Sequence, residues 1–303
     1  MKNTLHALLF LFLSCSNNES IENKPAIVEL QNSINLKIDS NEFSNEIAYI
    51  GAYYSCGLDI GVGVYEKKSN VKSDLLKFML TKDGQLQFLL YTDKRTYTTK
   101  DYCSADFIPA ETITISDFEF IENVKLKFKF TGKVFKKKYN LQQPDETVQL
   151  DGQVNINLFE KSNCNTFINF INLNNDIKFQ KISKSENNGS ISYLCNSFNG
   201  YNISFENLNQ SIIDLPIGTY SFSTTSLNNK IKFKKYISQP KNYSTIFLIP
   251  SDWKEYETQG SFTVINKSII NGHTVAKLKL NFTASFNGIV EYDFINAPFE
   301  TAI

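Results

Sequence analysis

Histidine, tryptophan and methionine are almost missing from this chain of 303 residues, which contains two, one and two of them respectively. His6 lies in the N-terminal apolar segment, so His273 is the only imidazole in the rest of the chain. A single histidine excludes metal sites built from several histidines and leaves Ser-His-Asp or Cys-His catalysis to that residue alone. His273 follows Asn271-Gly272 in a predicted hairpin turn, which favours a solvent-facing role over catalysis.

Net charge and the usual cofactor motifs are absent as well. The 31 basic residues balance the 31 acidic residues, so no nucleic-acid partner is expected. There is no C-x-x-C pair for zinc and no D-x-D-x-D loop for calcium. The one G-x-G match, at residues 61–63, lies in a strand pattern without a following helix, which disfavours a nucleotide loop. We therefore predict no metal, no cofactor and no catalytic residue.

The N-terminus carries the clearest motif in the chain. Apolar residues run only from Leu5 to Leu13, whereas a membrane-spanning helix needs about 20 of them. Lys2 precedes this run, and Ser14 stands before Cys15, as in a bacterial lipoprotein signal. We expect a signal peptide over residues 1–14, a lipid on Cys15, and a tether over residues 15–26. The predicted location is the cell envelope, anchored in the outer membrane with its face to the periplasm or outside. The alternative is an ordinary secretory signal with an incidental cysteine.

Four cysteines remain beyond the predicted lipid site: Cys56, Cys103, Cys164 and Cys195. An even number in an oxidising compartment indicates disulfides, although four cysteines allow three pairings. We favour Cys56 with Cys103 and Cys164 with Cys195, because each pair then stays within one proposed domain. Free buried thiols are the alternative.

Apolar and polar residues alternate along most of the chain, and helical periodicity is nearly absent, which predicts an all-β protein with antiparallel sheet. Asp83-Gly84, Asp151-Gly152 and Asn271-Gly272 stand between such runs and suit tight hairpin turns. Residues 73–84 fit either a short helix or a hairpin, of which we favour the hairpin. A single helical turn is expected near residues 251–253.

Similar segments recur in the two halves of the chain. In chain order they are Tyr54-Ser55-Cys56 with Tyr193-Leu194-Cys195, TITIS (112–116) with FTVIN (262–266), KLKFKFTG (125–132) with KLKLNFTA (277–284), and VNINLF (154–159) with FINAPF (294–299). Coincidence between two β-rich segments is the alternative to a tandem duplication. The order of the matches favours two tandem antiparallel β-sandwich domains, immunoglobulin-like or similar, over residues 27–162 and 163–303. The second would be an internal repeat of the first.

The segments FNGYNISFEN, DLPIGTYSF and EYDFINAPF in the second half resemble a small β-sandwich domain of unknown function found in Bacteroidota-type cell-envelope lipoproteins. The first half lacks a counterpart of the GTY strand. This resemblance implies an envelope location and a β fold, and it implies no catalytic residues.

Aromatic side chains near turns are the best candidates for ligand contacts, because exposed rings can stack on sugars. We select Tyr53, Tyr54, Trp253 and Tyr256, although core packing is the more common role for such residues. Lysines alternate over residues 125–138 and 230–235 and could bind acidic polymers, or they could only solubilise the outer faces of the sheets.

The leading functional hypothesis is a non-enzymatic envelope lipoprotein that binds or adheres to a glycan or a protein. One alternative is a glycan hydrolase with a pair of carboxylates, and another is a structural spacer in an envelope complex. Acids that could form such a pair are Asp252, Glu255, Glu257, Glu291 and Asp293. A pocket with two nearby carboxyl groups would favour the hydrolase, and an exposed aromatic surface without them would favour binding.

Overall fold

The computed structural model describes residues 32–55, 59–68, 71–94, 99–138, 144–157, 159–160, 169–242 and 249–303. Most of these residues form strands in two largely antiparallel sheets, which confirms the predicted all-β class. The predicted signal peptide, Cys15 and the tether lie outside the described residues. Within the described part of the chain, no helix is long and apolar enough to span a membrane.

The first sheet contains eleven strands. In chain order they are β1 (Ser33–Ile38), β2 (Asn41–Glu42), β3 (Ile47–Ser55), β4 (Asp59–Lys68), β5 (Val71–Leu80), β6 (Leu86–Asp93), β7 (Lys100–Cys103), β8 (Ile113–Ile121), β9 (Lys125–Lys136), β10 (Thr147–Ile156) and β11 (Phe159–Glu160). Their order in space is β11-β3-β4-β5-β6-β7-β9-β10-β1-β2, and β8 pairs with β9. Because β11 follows β10 closely and pairs in parallel with β3, this sheet almost closes on itself. One helical turn, α1 (Pro109–Thr112), precedes β8.

The second sheet contains ten strands. They are β12 (Phe170–Asn172), β13 (Lys178–Phe179), β14 (Lys181–Asn187), β15 (Ser190–Asn196), β16 (Tyr201–Leu208), β17 (Gly218–Ser223), β18 (Lys230–Tyr236), β19 (Trp253–Ile270), β20 (His273–Phe286) and β21 (Ile289–Thr301). Their order is β13-β12-β21-β20-β19-β18-β16-β15-β14, and β17 pairs with β19. A 3-10 turn at Pro250–Asp252 precedes β19, where the sequence predicts a helical turn.

Each sheet builds its own hydrophobic core from alternate residues of its strands. In β9, Leu126, Phe128 and Phe130 are buried, and the lysines between them remain partly or fully exposed. The KLKLNF segment of β20 repeats this pattern against the second core. Burial of one such side chain contributes about 1.5–3 kcal/mol, so the two-residue period is sufficient to fix which face of each strand turns inward.

Two of the three predicted hairpin turns are present. Gly84 joins β5 to β6 with a φ of +84°, and Gly272 joins β19 to β20 with a φ of +81°, a region that glycine enters at little cost. The hairpin is therefore the correct alternative for residues 73–84. The turn at Asp151-Gly152 was predicted wrongly, because both residues lie inside β10. A Cβ atom on Gly152 would overlap the backbone oxygen of Asn35, so this glycine permits close strand approach instead.

The two sheets share one connectivity. In the second sheet the order is β14-β15-β16-β18-β19-β20-β21-β12-β13, and in the first it is β3-β4-β5-β6-β7-β9-β10-β1-β2. These two orders match strand by strand, and matched strands follow one another in the same chain order. Two strands have no counterpart in this comparison: β17 in the second sheet and β11 in the first. The segments KLKFKFTG and KLKLNFTA lie on matching strands, β9 and β20. Tyr54 and Tyr193 do not, since β3 matches β14 and Tyr193 lies in β15. A duplication would produce this arrangement, and it stays a prediction.

The main difference between the sheets is in β19 and in the strand of the first sheet that corresponds to it. The first part of β19 pairs with β18 and its remainder pairs with β20, as one continuous strand. In the first sheet, the matching strand is divided into β7 and β8 by residues 104–112. This insertion leaves the first sheet and contacts the second.

Candidate functional site

The strongest candidate site is a cleft on the outer face of the second sheet, with a volume of about 390 Å³. Strand alternation places polar side chains there, because Tyr193 and Cys195 of β15 and Ile203 and Phe205 of β16 point into the core. The polar residues that line the cleft are Asn196, Asn202, Ser204, Glu206, Lys234 and Glu255. Trp253 also lines this cavity, which we call the Trp253 cleft.

The polar floor of the Trp253 cleft is already organised by hydrogen bonds. The Asn202 side-chain amide donates to Asn196 Oδ1 at 2.8 Å, and Ser204 Oγ donates to Glu206 Oε1 at 3.0 Å. Asn202 and Ser204 are both largely buried. Side chains held in this way lose little entropy when a ligand binds, so the floor is preorganised.

The carboxylates of the cleft are paired with lysines. Lys232 Nζ lies 3.0 Å from Glu206 Oε2, and Lys234 Nζ lies 2.7 Å from Glu255 Oε2. Opposite charges therefore balance on this face. The floor offers hydrogen-bond donors and acceptors without a dominant charge of either sign.

Aromatic rings form the other wall of the Trp253 cleft. Phe107 comes from the insertion in the first sheet, and its ring centroid lies 4.9 Å from that of Trp253, edge to face. The Trp253 indole N–H is buried and has no hydrogen-bond partner among the described residues. Apolar walls beside a polar floor are the usual composition of a small-molecule site.

Phe107 is held in a strained conformation. Its φ is +62°, a left-handed value that is unusual for a bulky side chain and costs about 1–3 kcal/mol. The second sheet's loops hold it there: Gly200 N–H donates to Phe107 O at 2.8 Å, and Asp106 N–H donates to Lys241 O at 2.9 Å. Gly200 is required at this position, because its φ is +83° and a Cβ atom would lie 2.8 Å from Ile108 Cγ2.

Further contacts fix the insertion against the second half of the chain. The Asn242 side-chain amide donates to Ser104 O at 3.1 Å, and Ala110 N–H donates to Phe198 O at 3.3 Å. Ile108 packs with Tyr236 in a small third cluster of buried residues. The Phe107 ring is therefore presented by a firmly held backbone.

The four predicted ligand-binding aromatics do not meet in one place. Trp253 lines the cleft, and Tyr53 is 47% exposed on the first sheet, where its ring covers Gly61. Tyr54 and Tyr256 are buried, at 7% and 1% exposed, so the expectation of exposed rings at these positions was wrong. Both follow the inward phase of their strands, because successive side chains of a strand alternate between its faces.

The two described cysteines form no disulfide. Cys103 and Cys195 carry buried free thiols, so the pairings of Cys56 with Cys103 and of Cys164 with Cys195 are not supported. Cys56 and Cys164 themselves lie outside the described residues. Burial raises the pKa of the Cys103 thiol to about 11 and also raises the pKa of Cys195. A thiol with a raised pKa is a poor nucleophile at neutral pH.

Several lysines of the two rows, and the candidate acids Glu255 and Glu291, form ion pairs. Lys125 pairs with Glu119 at 2.8 Å, Lys129 pairs with Asp117 at 2.7 Å, and Lys254 pairs with Glu291 at 2.6 Å. Such pairs at the surface contribute little to stability, and each one reduces the positive charge that its lysine could offer to an acidic polymer. His273 is exposed at the start of β20, as predicted.

Sequence reasoning found Trp253 and Glu255 but missed Phe107 and the amide and hydroxyl side chains of the cleft. The insertion carries no periodic pattern, and its role depends on contacts with distant residues. An alignment of the two halves would have shown the insertion as an interruption between Cys103 and Ile113.

No group of three or more histidine, cysteine or acidic residues in the described ranges is placed to hold a metal ion. Comparison of the whole chain with protein-family models, with curated proteins and with solved structures finds no match. The site's own geometry must therefore support any functional assignment.

Proposed function

We propose that this protein binds a glycan without transforming it, and that the Trp253 cleft is the binding site. The observation that carries the proposal is the combination of a firmly held aromatic wall, Trp253 with Phe107, and a polar floor that is ordered before a ligand arrives. Rings provide apolar contact area for the C–H faces of a sugar, and the floor provides partners for its hydroxyl groups.

A neutral glycan suits the floor better than a charged ligand. Each sugar hydroxyl both donates and accepts, and the cleft offers carboxylate acceptors, an ammonium donor and amides that do both. An acidic polymer would meet Glu206 and Glu255 together with the lysines that pair with them. Envelope proteins are the alternative partners and are tested in the same screen, and no nucleic-acid partner is proposed.

The proposed setting is the bacterial cell envelope. Cys15 would carry the lipid that anchors the chain in the outer membrane, and residues 16–26 would separate the anchor from the sheets. We further propose that the halves are tandem β-sandwich domains of the kind found in Bacteroidota-type lipoproteins. Mass spectrometry of the mature N-terminus should find an acylated Cys15, and an unmodified cysteine there would contradict the anchor.

A glycan and envelope-protein binding screen of the full chain in detergent tests the proposed activity. Trp253→Ala should abolish binding of the glycans that the wild-type protein retains. Phe286→Ala is the matched control, because it removes a partly exposed ring that lies away from the cleft. The Phe286 ring stacks on Lys254, and the Lys254 side chain points to the opposite face of β19 from Trp253 and Glu255. Retained binding by the Trp253 variant would place the ligand elsewhere and refute the proposal.

A hydrolase is the second candidate, because Glu206 and Glu255 line the same cleft. Both carboxylates already bind a lysine, whereas a glycosidase needs one carboxyl group that carries a proton for the leaving oxygen. This pairing favours binding over hydrolysis. Prolonged incubation with each retained glycan should release no new reducing ends, and their appearance would favour the hydrolase.

A further inference from the structure

We propose that the ligand is a linear, neutral oligosaccharide that crosses Phe107 and occupies a second cleft on its far side. This inference rests on the proposed glycan binding and specifies the length and path of the chain. We call the second cavity the Phe88 cleft. Its volume is about 310 Å³.

The Phe88 cleft lies where the outer face of the first sheet meets the second half of the chain. Met79 in β5 and Phe88 in β6 contribute from the first sheet, where they pair across neighbouring strands. Pro109 contributes from the insertion, and Phe198 contributes from the loop between β15 and β16. The cavity is therefore rich in apolar and aromatic surface, like the Trp253 cleft.

The two clefts meet at shared residues. Phe107 and Asn196 line both cavities, so a chain that leaves one of them at Phe107 enters the other directly. Each cleft has a volume at the lower end of the range for small-molecule sites, about 300–1,000 Å³. Two such sites on either side of one ring suit consecutive units of a chain better than a single compact ligand.

The strain at Phe107 supports a role for this ring. Residues 104–112 interrupt a strand that runs unbroken in the second sheet, so the fold can be built without them. The interruption positions Phe107 at a left-handed φ, and hydrogen bonds to the second half hold it between the clefts. Strained residues that the surrounding structure holds in place are typical of binding sites.

Charge favours a neutral chain. Among the described residues that line the Phe88 cleft, Asp106 is the only charged one, and no lysine or arginine is present. The remaining polar residues are Gln87, Ser104, Asn196 and Ser197. A polyanion bound next to Lys234 in the Trp253 cleft would be repelled by the Asp106 carboxylate in the Phe88 cleft. The hydroxyl groups of a neutral sugar find hydrogen-bond partners in both clefts.

The single tryptophan of the chain makes the test direct, because Trp253 emission reports on the cleft that it lines. We would titrate the full chain with glucose, cellobiose to cellohexaose, maltose to maltohexaose, and N-acetylglucosamine oligomers of one to six units. We expect affinity to rise at least tenfold between the shortest sugar that binds and a longer member of the same series, and then to reach a plateau.

Three variants separate the steps of the argument. Phe88→Ala should remove the gain in affinity with length and leave the affinity for the shortest sugar unchanged, since Phe88 lines only the second cleft. Phe107→Ala should weaken binding of both short and long sugars. Phe286→Ala should bind all of them like the wild type. Thermal melting followed by circular dichroism checks that each variant is folded.

The outcomes distinguish the two proposals. If short sugars change the Trp253 emission but longer ones bind no more tightly, the chain across Phe107 is refuted and glycan binding stands. The same conclusion follows if Phe88→Ala weakens short and long sugars equally. If no sugar in the titration or in the wider screen binds, the proposed function fails and this inference fails with it.

Discussion

Replacing Glu146 with glutamine tests how three strands of the first sheet are held together. Glu146 stands just before β10 and accepts hydrogen bonds from Lys136 Nζ in β9 at 2.7 Å and from two groups of β7. These are Lys100 Nζ at 2.9 Å and the Tyr102 hydroxyl at 2.5 Å. The hydrogen bonds from Lys136, Tyr102 and Lys100 lower the pKa of Glu146 to about 2 from an ordinary value of 4.5.

The size of the effect follows from that pKa. A shift from 4.5 to about 2 corresponds to an upper limit of about 3 kcal/mol in the free energy of unfolding. Because 38% of the Glu146 side chain is exposed, screening by water reduces the expected contribution to about 1 kcal/mol. A lowered pKa means that the folded state favours the ionised carboxylate. The contribution is therefore complete above pH 4.5 and is lost as the pH falls towards 2.

Urea unfolding followed by circular dichroism measures this contribution. At pH 7, Glu146→Gln should lower the free energy of unfolding by about 1 kcal/mol relative to the wild type. The difference should shrink between pH 4.5 and pH 2, where the wild-type carboxylate becomes neutral as well. Glu42→Gln is the control, because the Lys37–Glu42 pair is far more exposed. Equal stability at pH 7, or a difference that does not depend on pH, would refute the reasoning.

Three further predictions concern packing. Gly152→Ala should destabilise the protein by about 2 kcal/mol in urea unfolding, because the new methyl group would overlap the backbone of β1; an unchanged midpoint would contradict this. Tyr193→Phe should cost about 1–3 kcal/mol by the same measurement, since the hydroxyl hydrogen-bonds to three groups near the second core. Cys195 should resist alkylation by iodoacetamide at pH 8 until urea is added, because its thiol is buried and its pKa is raised. Mass spectrometry of the labelled peptide measures this, and rapid labelling of the folded protein would place the thiol at the surface.

The all-β class was predictable because apolar and polar residues alternate in segments such as KLKFKF and KLKLNF, and the apolar residues are the buried ones. Local patterns also predicted the turns at Gly84 and Gly272, where a positive φ is required. The same kind of pattern failed at Asp151-Gly152, since a glycine that permits close strand contact looks like a turn glycine in sequence. Only the pairing of β10 with β1 and β9 tells the two roles apart.

The candidate site was predictable only in part, for a related reason. Trp253 stands out because it is the sole tryptophan and follows a turn signal. Tyr256 looks equivalent in sequence, yet it is three residues further along β19 and so occupies the inward phase. Phe107 could not be identified from local pattern, because its value to the site comes from residues about 90 to 150 positions away in the chain.

The two halves contribute differently to the Trp253 cleft, which is the binding site that we propose. The second sheet keeps its long strand β19 intact, with Trp253 at the strand's first position and the polar floor beside it. In the first sheet the matching strand is divided into β7 and β8, and the residues between them place Phe107 against Trp253, beside that floor. Neither half alone contains both rings of the aromatic wall, Phe107 and Trp253. Residues 104–112 therefore connect the halves and complete the cleft, and hydrogen bonds from the second half hold the strained backbone at Phe107 in place.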